Sequence, residues 1–330
     1  MKIIAVDDDD IALGLLNECL CQGGYEHVTL MSSPAMVLDK MMATAMPYEC
    51  VLLDVEMPGK SGTQLCAEIR DLPRYRNTPI IMITKHADHA AVQQAFANGA
   101  TDYMTKPFDF FEVLTRIRVA ERLVQERQSA LDSYVAMQQS AARTDASSPP
   151  LRASRRADTV PPLLESEIKS DGILSLSVFQ NYLEQIARSD ESSVNLMAIK
   201  IRRIDEIFAG TTPVEFTCFL KAVADALAQE FRPDTVFMTH SGGGTYLCAH
   251  SGTNAIDRAA MQQSVLVRLS LRDLPHICRQ EIPPEIIIGD PLILTTTAKL
   301  NFRRAAKAAT ARMERRDDAS HSMVASRMAG

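Results

Sequence analysis

Cys50-Val-Leu-Leu-Asp54-Val-Glu-Met-Pro-Gly59 is the stretch on which the fold turns. Its apolar, β-prone run ends abruptly in a carboxylate. Comparable short runs lie at 2–6, 27–30, 80–83 and 100–104, and the segments between them carry apolar residues at helical spacing. That alternation is a repeated βα pattern, so the first 110 residues are predicted to form a doubly wound α/β domain, a five-stranded parallel sheet covered on both faces.

The polar residues at the ends of those runs share a location. Asp7 and Asp8 end the first, Asp54 ends Val51-Leu-Leu, Thr84 ends Ile80-Ile-Met-Ile, and Lys106 follows Tyr103-Met-Thr and precedes Pro107. In a doubly wound sheet the carboxyl ends of the strands line one crevice, so residues a hundred positions apart converge there. Crowded carboxylates repel unless a hard cation sits between them, and Mg²⁺ suits such a site because it takes oxygen ligands and retains exchangeable waters. A lysine and a hydroxyl opposite the metal can stabilise a transferring phosphoryl group, with one carboxylate as nucleophile.

This constellation resembles the receiver domain of two-component response regulators, over about residues 1–125. The carrying motifs are the Asp pair after the first strand, Leu53-Asp54-Val-Glu-Met-Pro-Gly59, Ile83-Thr84, and Tyr103-Met-Thr-Lys106-Pro107-Phe108. The resemblance implies a flavodoxin-like fold in which Asp54 accepts phosphate from a histidine kinase or phosphotransfer protein. It further implies that Asp7, Asp8, Asp54 and the backbone carbonyl of Glu56 hold Mg²⁺, that Thr84 and Lys106 contact the phosphoryl group, and that Tyr103 takes the aromatic switch position. A homodimer through the receiver face is part of the same expectation. The family usually has Ala or Ser after the threonine; this chain has Lys85. Gly59-Lys-Ser61 looks like the end of a phosphate-binding loop, but the required leading glycine position holds Asp54. No HExxH, nucleophile elbow or dinucleotide fingerprint is present.

From Phe110 the helical pattern runs on. Ile117, Val124 and Leu131 recur every seven residues, while Glu121 and Gln128 are polar at the companion positions, which leaves both a paired coiled coil and a long solvated helix open. Between Ala141 and Pro162 the composition shifts to Ala, Ser, Pro and Arg, including Arg152, Arg155 and Arg156, as in a disordered charged tether. The expected organisation is a receiver at 1–125, an extended helix and linker at 126–164, a second domain at 165–317 and a flexible tail at 318–330.

The second domain reads as α+β. Strands are predicted at Val194–Ile201, Val236–Met238, Tyr246–Ala249 and Glu285–Ile288. Helical spacing joins Phe216, Leu220, Val223, Leu227 and Phe231, and a basic helix closes the segment from Leu300 to Glu314. The segment resembles the GGDEF domain of diguanylate cyclases, which join two GTP molecules into cyclic di-GMP. Asp171-Gly-Ile-Leu-Ser-Leu-Ser-Val-Phe-Gln-Asn-Tyr182 follows that family's opening motif, Ser241-Gly-Gly-Gly-Thr-Tyr246 stands at its signature hairpin, and Phe302–Arg316 echoes its closing helix.

The departures bear on chemistry. Where the family places metal-binding aspartates, this chain has Lys200 and Arg202; in the signature Gly242, Gly243, Gly244, Thr245 and Tyr246, the acidic third and fourth positions are glycine and threonine. The Asn of the opening motif is Val178, the guanine-reading positions are Phe208 and Thr217, and Arg232-Pro-Asp234 has its aspartate one residue early for the family's product site. Cations in place of anionic ligands repel Mg²⁺, at a Coulomb cost on the order of several kcal/mol. The expectation is therefore a non-enzymatic output that acts through an unidentified downstream protein, with no cofactor in the second domain. The competing readings are a divergent diguanylate cyclase and a GTP or cyclic di-GMP sensor without turnover. Glycines between two strands supply the positive φ of a tight hairpin, whereas phosphate-cradling glycines lead into a helix N-terminus.

Whole-chain properties bound these readings. The chain has 330 residues, 46% of them hydrophobic, enough for two cores. Its seven cysteines show no CxxC spacing, against a disulfide framework or a structural zinc site. A net charge of −6 gives no general reason to expect nucleic-acid binding. The first apolar run meets Asp7–Asp10 too soon for a signal-peptide core, and no run approaches the roughly 20 residues of a membrane span. A cytoplasmic location with no membrane partner is expected.

Overall fold

Strands β1 (Ile3–Val6), β2 (Val28–Met31), β3 (Cys50–Asp54), β4 (Ile80–Thr84) and β5 (Asp102–Thr105) form one parallel sheet in the order β2-β1-β3-β4-β5. The structure is a computed structural model that describes residues 1–85, 89–144, 172–186, 194–230, 236–251, 257–272, 285–294 and 301–328. The chain divides into two units, Met1–Ser154 and Arg155–Gly330.

In the first unit β1, β3 and β4 are buried along their whole length, which is why they read as unbroken apolar runs. Helices α1 (Asp10–Gln22), α2 (Val37–Ala43), α3 (Gly62–Asp71), α4 (His89–Ala97) and α5 (Phe110–Thr144) connect or follow them, with a 3₁₀ turn at Pro34–Met36 before α2. The chain leaves β1 for the edge strand β2 and returns to β3 on β1's other side, so the strand order reverses there and opens a crevice at the carboxyl ends. The five predicted strands are present in one parallel sheet, and the unit has a flavodoxin-like fold.

Helix α5 continues well past the domain body. Val113, Leu114, Ile117 and Ala120 pack into the core with α1. Farther along, Tyr25 donates to Glu121 Oε2 at 3.0 Å, and Asn77, with its amide oxygen turned toward α5, accepts from Arg127. Ile117 is fully buried and Val124 half-buried, so the first positions of the heptad pattern pack within the unit itself. The Ala, Ser, Pro and Arg stretch begins inside α5, which runs to Thr144; its remainder, with Arg152, Arg155 and Arg156, lies outside the described residues.

The second unit is α+β. Strands β6 (Val194–Ile201), β7 (Val236–Gly242), β8 (Thr245–Ser251), β9 (Ile286–Ile288) and β10 (Leu292–Leu294) form an antiparallel sheet in the order β10-β6-β8-β7, with β9 also paired to β6. Helices are α6 (Leu176–Ile186), α7 (Ile204–Gly210), α8 (Pro213–Glu230), α9 (Arg258–Ser270) and α10 (Phe302–Met328). Met197, Ile199 and Ile201 of β6 pack in one core with residues of α8 and α9, while Phe179 of α6 meets Phe302 of α10 edge to face at 6.3 Å. Four elements are additional to the sequence reading: α6, α7, α9 and β10. Strand β10 holds only three residues, and α9 docks on α8 through Arg268–Glu230 and Arg272–Asp225. The closing helix also runs past Glu314 to Met328, so the stretch from 318 read as a flexible tail is helical, in keeping with its alanines, methionines and arginine.

Candidate functional site

Four elements deliver the crevice residues. Asp7 follows β1 and is fully buried, Asp8 beside it is exposed, Asp54 closes β3 at 3% exposure, and Thr84 closes β4 at 2%. The rest of the acidic run has local work: the Asp9 side chain caps α1 by accepting from Ile11 N at 2.9 Å and Ala12 N, and Asp10 lies in the helix's first turn. Lys106 follows β5, and its backbone N–H donates to Thr84 O at 2.6 Å, which ties the lysine to the end of β4.

The Lys106 ammonium bridges the crevice. Nζ lies 2.7 Å from Asp7 Oδ2 and 2.8 Å from Asp54 Oδ1. Asp7 Oδ1 accepts from Asp9 N at 3.0 Å, whereas Oδ2 has the close charge of Lys106 but no donor in hydrogen-bond alignment. Burial raises the Asp54 carboxyl above its ordinary value; the Lys106 hydrogen bond lowers it, and the charges of Asp7 and Asp8 raise it again, leaving it raised. For Lys106 burial alone would lower the pKa, but its close interactions with the carboxylates of Asp54 and Asp7 outweigh it and hold the amine above its ordinary value.

Oxygens of Asp7, Asp8 and Asp54 all lie within 4.8 Å of one another, and no other group of three His, Cys, Asp or Glu among the described residues is so placed. Three carboxylates against one ammonium leave excess negative charge, and the buried Asp7 Oδ2 retains acceptor capacity. An oxygen-seeking divalent cation such as Mg²⁺ fits both facts. Glu56 is exposed in the β3–α3 connection, and Lys85 is exposed just past Thr84. Tyr103 lies on β5, buried at 2% exposure, with its Cα paired to Met82. Of the residues named from the sequence, Asp7, Asp8, Asp54 and Lys106 come together here, and sequence reasoning missed Arg116, whose buried guanidinium holds Asp102 next to Tyr103.

The second-unit positions are arranged differently. Lys200 pairs with Thr245 of β8 and Ile287 of β9 near the end of β6. Arg202 lies just beyond the strand; its N–H donates to Glu285 O at 2.8 Å and its guanidinium to Glu285 Oε2 at 2.9 Å. Gly242, Gly243 and Gly244 have φ of 101°, 58° and 70°. The last two form the two-residue loop between β7 and β8, where φ is positive at both central positions as a type I′ hairpin requires. Tyr246 is a core residue whose hydroxyl donates to Leu220 O at 2.9 Å. Val178 is half-buried on α6, Phe208 packs edge to face on Phe216 at 4.9 Å, and Thr217 is half-buried on α8. Arg232 and Asp234 lie outside the described residues.

A flavodoxin-like sheet with a lysine-bridged acidic crevice at its switch point defines an α/β domain suited to phosphoryl acceptance on a carboxylate. Residues 3–118 match the response regulator receiver domain family, and that part of the chain is a receiver domain. The signal transduction histidine-protein kinase BarA of Shigella flexneri is 29% identical over 160 residues, 44% of this chain and 17% of BarA. The transcriptional regulatory protein KdpE of Staphylococcus aureus is 35% identical over 127 residues, 38% of this chain and 52% of KdpE. Among solved structures, the beryllofluoride-activated receiver domain of DrrB from Thermotoga maritima is 30% identical, with 37% of this chain and 97% of that one covered at a TM-score of 0.33. The chain thus spans about half or less of the length of these two curated relatives. No helix among the described residues is long and apolar enough to cross a membrane.

Proposed function

We propose that the protein is a response regulator of a two-component phosphorelay, phosphorylated on Asp54 by a histidine kinase or phosphotransfer protein. The bridge from Lys106 Nζ to Asp54 Oδ1 and Asp7 Oδ2 carries this reading, because it sets a fixed cation beside Asp54, a buried carboxylate at the strand-end switch point whose pKa burial raises. An Asp54 oxygen forms the new O–P bond as the donor's N–P bond breaks, and the leaving imidazole takes up a proton. Lys106 screens charge on the transferring group and the Thr84 hydroxyl meets one of its oxygens. Asp7, Asp8, Asp54 and the Glu56 backbone carbonyl would hold Mg²⁺, which would supply charge neutralisation for the phosphoryl oxygens. The aspartyl phosphate brings about two negative charges into the crevice. Thr84 moves toward them, Tyr103 follows, and the face around β5 and α5 repacks as a dimer surface.

In the same proposal the second unit is a GGDEF-like module that has lost catalysis and acts by binding a downstream protein. Arg202 is engaged by Glu285 and Tyr246 by the core, and the three glycines serve a hairpin turn. Two measurements test the proposal. Intact-mass analysis with a small-molecule phosphodonor and Mg²⁺ should show one added phosphoryl group on wild type and none on Asp54→Asn. Incubation with GTP and Mg²⁺ or Mn²⁺ should yield no cyclic di-GMP; its appearance would establish a cyclase instead.

A further inference from the structure

We infer that Gly62 is a positioning residue for Asp54, because it lets the first turn of α3 rest directly on the Asp54–Val55 peptide; this builds on the reading of Asp54 as the phosphoryl acceptor. The Gly62 N–H donates to Val55 O at 2.9 Å, while on the sheet side Val55 N donates to Ile83 O at 2.8 Å. Val55 is therefore held between β4, through its N–H, and α3, through its carbonyl. A Cβ at position 62 would stand 1.9 Å from Asp54 O, 2.8 Å from Asp54 C and 3.0 Å from Val55 Cα. All three obstacles are main chain, which has no rotamer to escape into. Gly62 is not among the positive-φ glycines, so space alone demands glycine here. The helix start is itself fixed, since Ser61 Oγ accepts from Gln64 N and Gln64 Oε1 accepts from Ser61 N, each at 3.3 Å.

Gly23 provides the contrast. A Cβ there meets Leu114 Cδ2 at 2.3 Å, the tip of a side chain that can turn aside, at the far end of α1. At position 62 the helix and the Asp54–Val55 peptide must part. The carboxylate then shifts against Lys106 Nζ, a contact set at 2.8 Å. A displacement on the order of 1 Å at a reacting group lowers a rate by about 10²-fold.

The test follows phosphoryl uptake from acetyl phosphate in Mg²⁺ by intact mass on the full chain, with thermal melts in parallel. Gly62→Ala should lower the rate at saturating donor by about 10²-fold with the donor half-saturation unchanged. Gly23→Ala should lower the melting temperature and leave the rate per folded molecule as in wild type. If Gly62→Ala is unfolded at the assay temperature, Ser61→Ala decides. It loosens the same turn without adding bulk and should lower the rate roughly fivefold. A wild-type rate in a folded Gly62→Ala, or in Ser61→Ala, overturns the positioning role. A wild type that takes up no phosphoryl group refutes the acceptor reading itself.

Discussion

Arg116 Nη1 lies 3.1 Å from each oxygen of Asp102, and both side chains are buried. Asp102 Oδ1 also accepts from Tyr103 N at 2.8 Å, so the pair fastens α5 to the strand that carries Tyr103. Removing one partner strands a buried charge, which costs about 3–5 kcal/mol, whereas replacing both with apolar residues of similar size is often near neutral. Arg116→Met should therefore destabilise the receiver by about that amount, and Arg116→Met combined with Asp102→Leu should recover most of it. Chemical denaturation of wild type, both single variants and the double variant measures the coupling. Simple additivity would contradict it.

Asp54 carries an electrostatic cost. Burial, reinforced by Asp7 and Asp8 and only partly offset by Lys106, holds its folded pKa above the unfolded value. A carboxyl shifted upward favours folding while protonated; that contribution is present below the unfolded pKa and lost as pH rises through the folded one. At neutral pH the ionised group thus destabilises the metal-free fold, and Asp54→Asn should melt higher than wild type in EDTA. Mg²⁺ should narrow the gap by stabilising wild type, which keeps all three carboxylates. A variant that melts lower in EDTA would refute the account.

The crevice was legible in the sequence because a parallel strand buried on both faces is an unbroken apolar run, so the polar residue that ends it marks the sheet's edge. Asp54 and Thr84 are such residues. The hairpin glycines were legible for a similarly local reason, the positive φ of a tight turn. What escaped was set by distance along the chain. Arg202 meets Glu285 across 83 positions and Arg116 meets Asp102 across 14, and neither carries a local signal of its partner. Strand β10 is three residues long, too short for a periodicity to emerge. Helix α9 buries only Met261, Val265 and Leu269, one apolar residue per turn, and so narrow a stripe leaves little periodicity to read.

The hairpin distinguishes two demands on glycine. At Gly243 an added Cβ meets nothing within 4 Å, so φ of 58° is the whole constraint; at Gly244 it also meets Ile204 Cγ1 at 2.9 Å. Gly243→Ala should cost about 1–2 kcal/mol, the left-handed penalty, and Gly243→Asn less because asparagine tolerates that region. Gly244→Ala should cost more than Gly243→Ala, with the excess removed by Ile204→Ala in a double-mutant cycle. Denaturant midpoints measure this, and equal costs at the two positions would refute the steric part. The same Ile204 stands in the way of any longer side chain introduced at 244.

His240 gives the second unit a dependence on pH. It lies on β7 at 9% exposure with its ring 4.9 Å from Tyr246, and burial pushes its pKa from 6.5 down to about 4. For a base with a depressed folded pKa, protonation favours the unfolded chain. The associated stability is present above the unfolded value and is lost as pH falls from about 6.5 toward 4. The full effect is on the order of 3 kcal/mol. Hydrogen-exchange protection of β7 and β8 amides, corrected for intrinsic rates, should therefore fall across that window. His240→Phe keeps a ring beside Tyr246 and has no proton to gain, so it should flatten the decline. An equally steep loss in the variant would place the acid sensitivity on other groups.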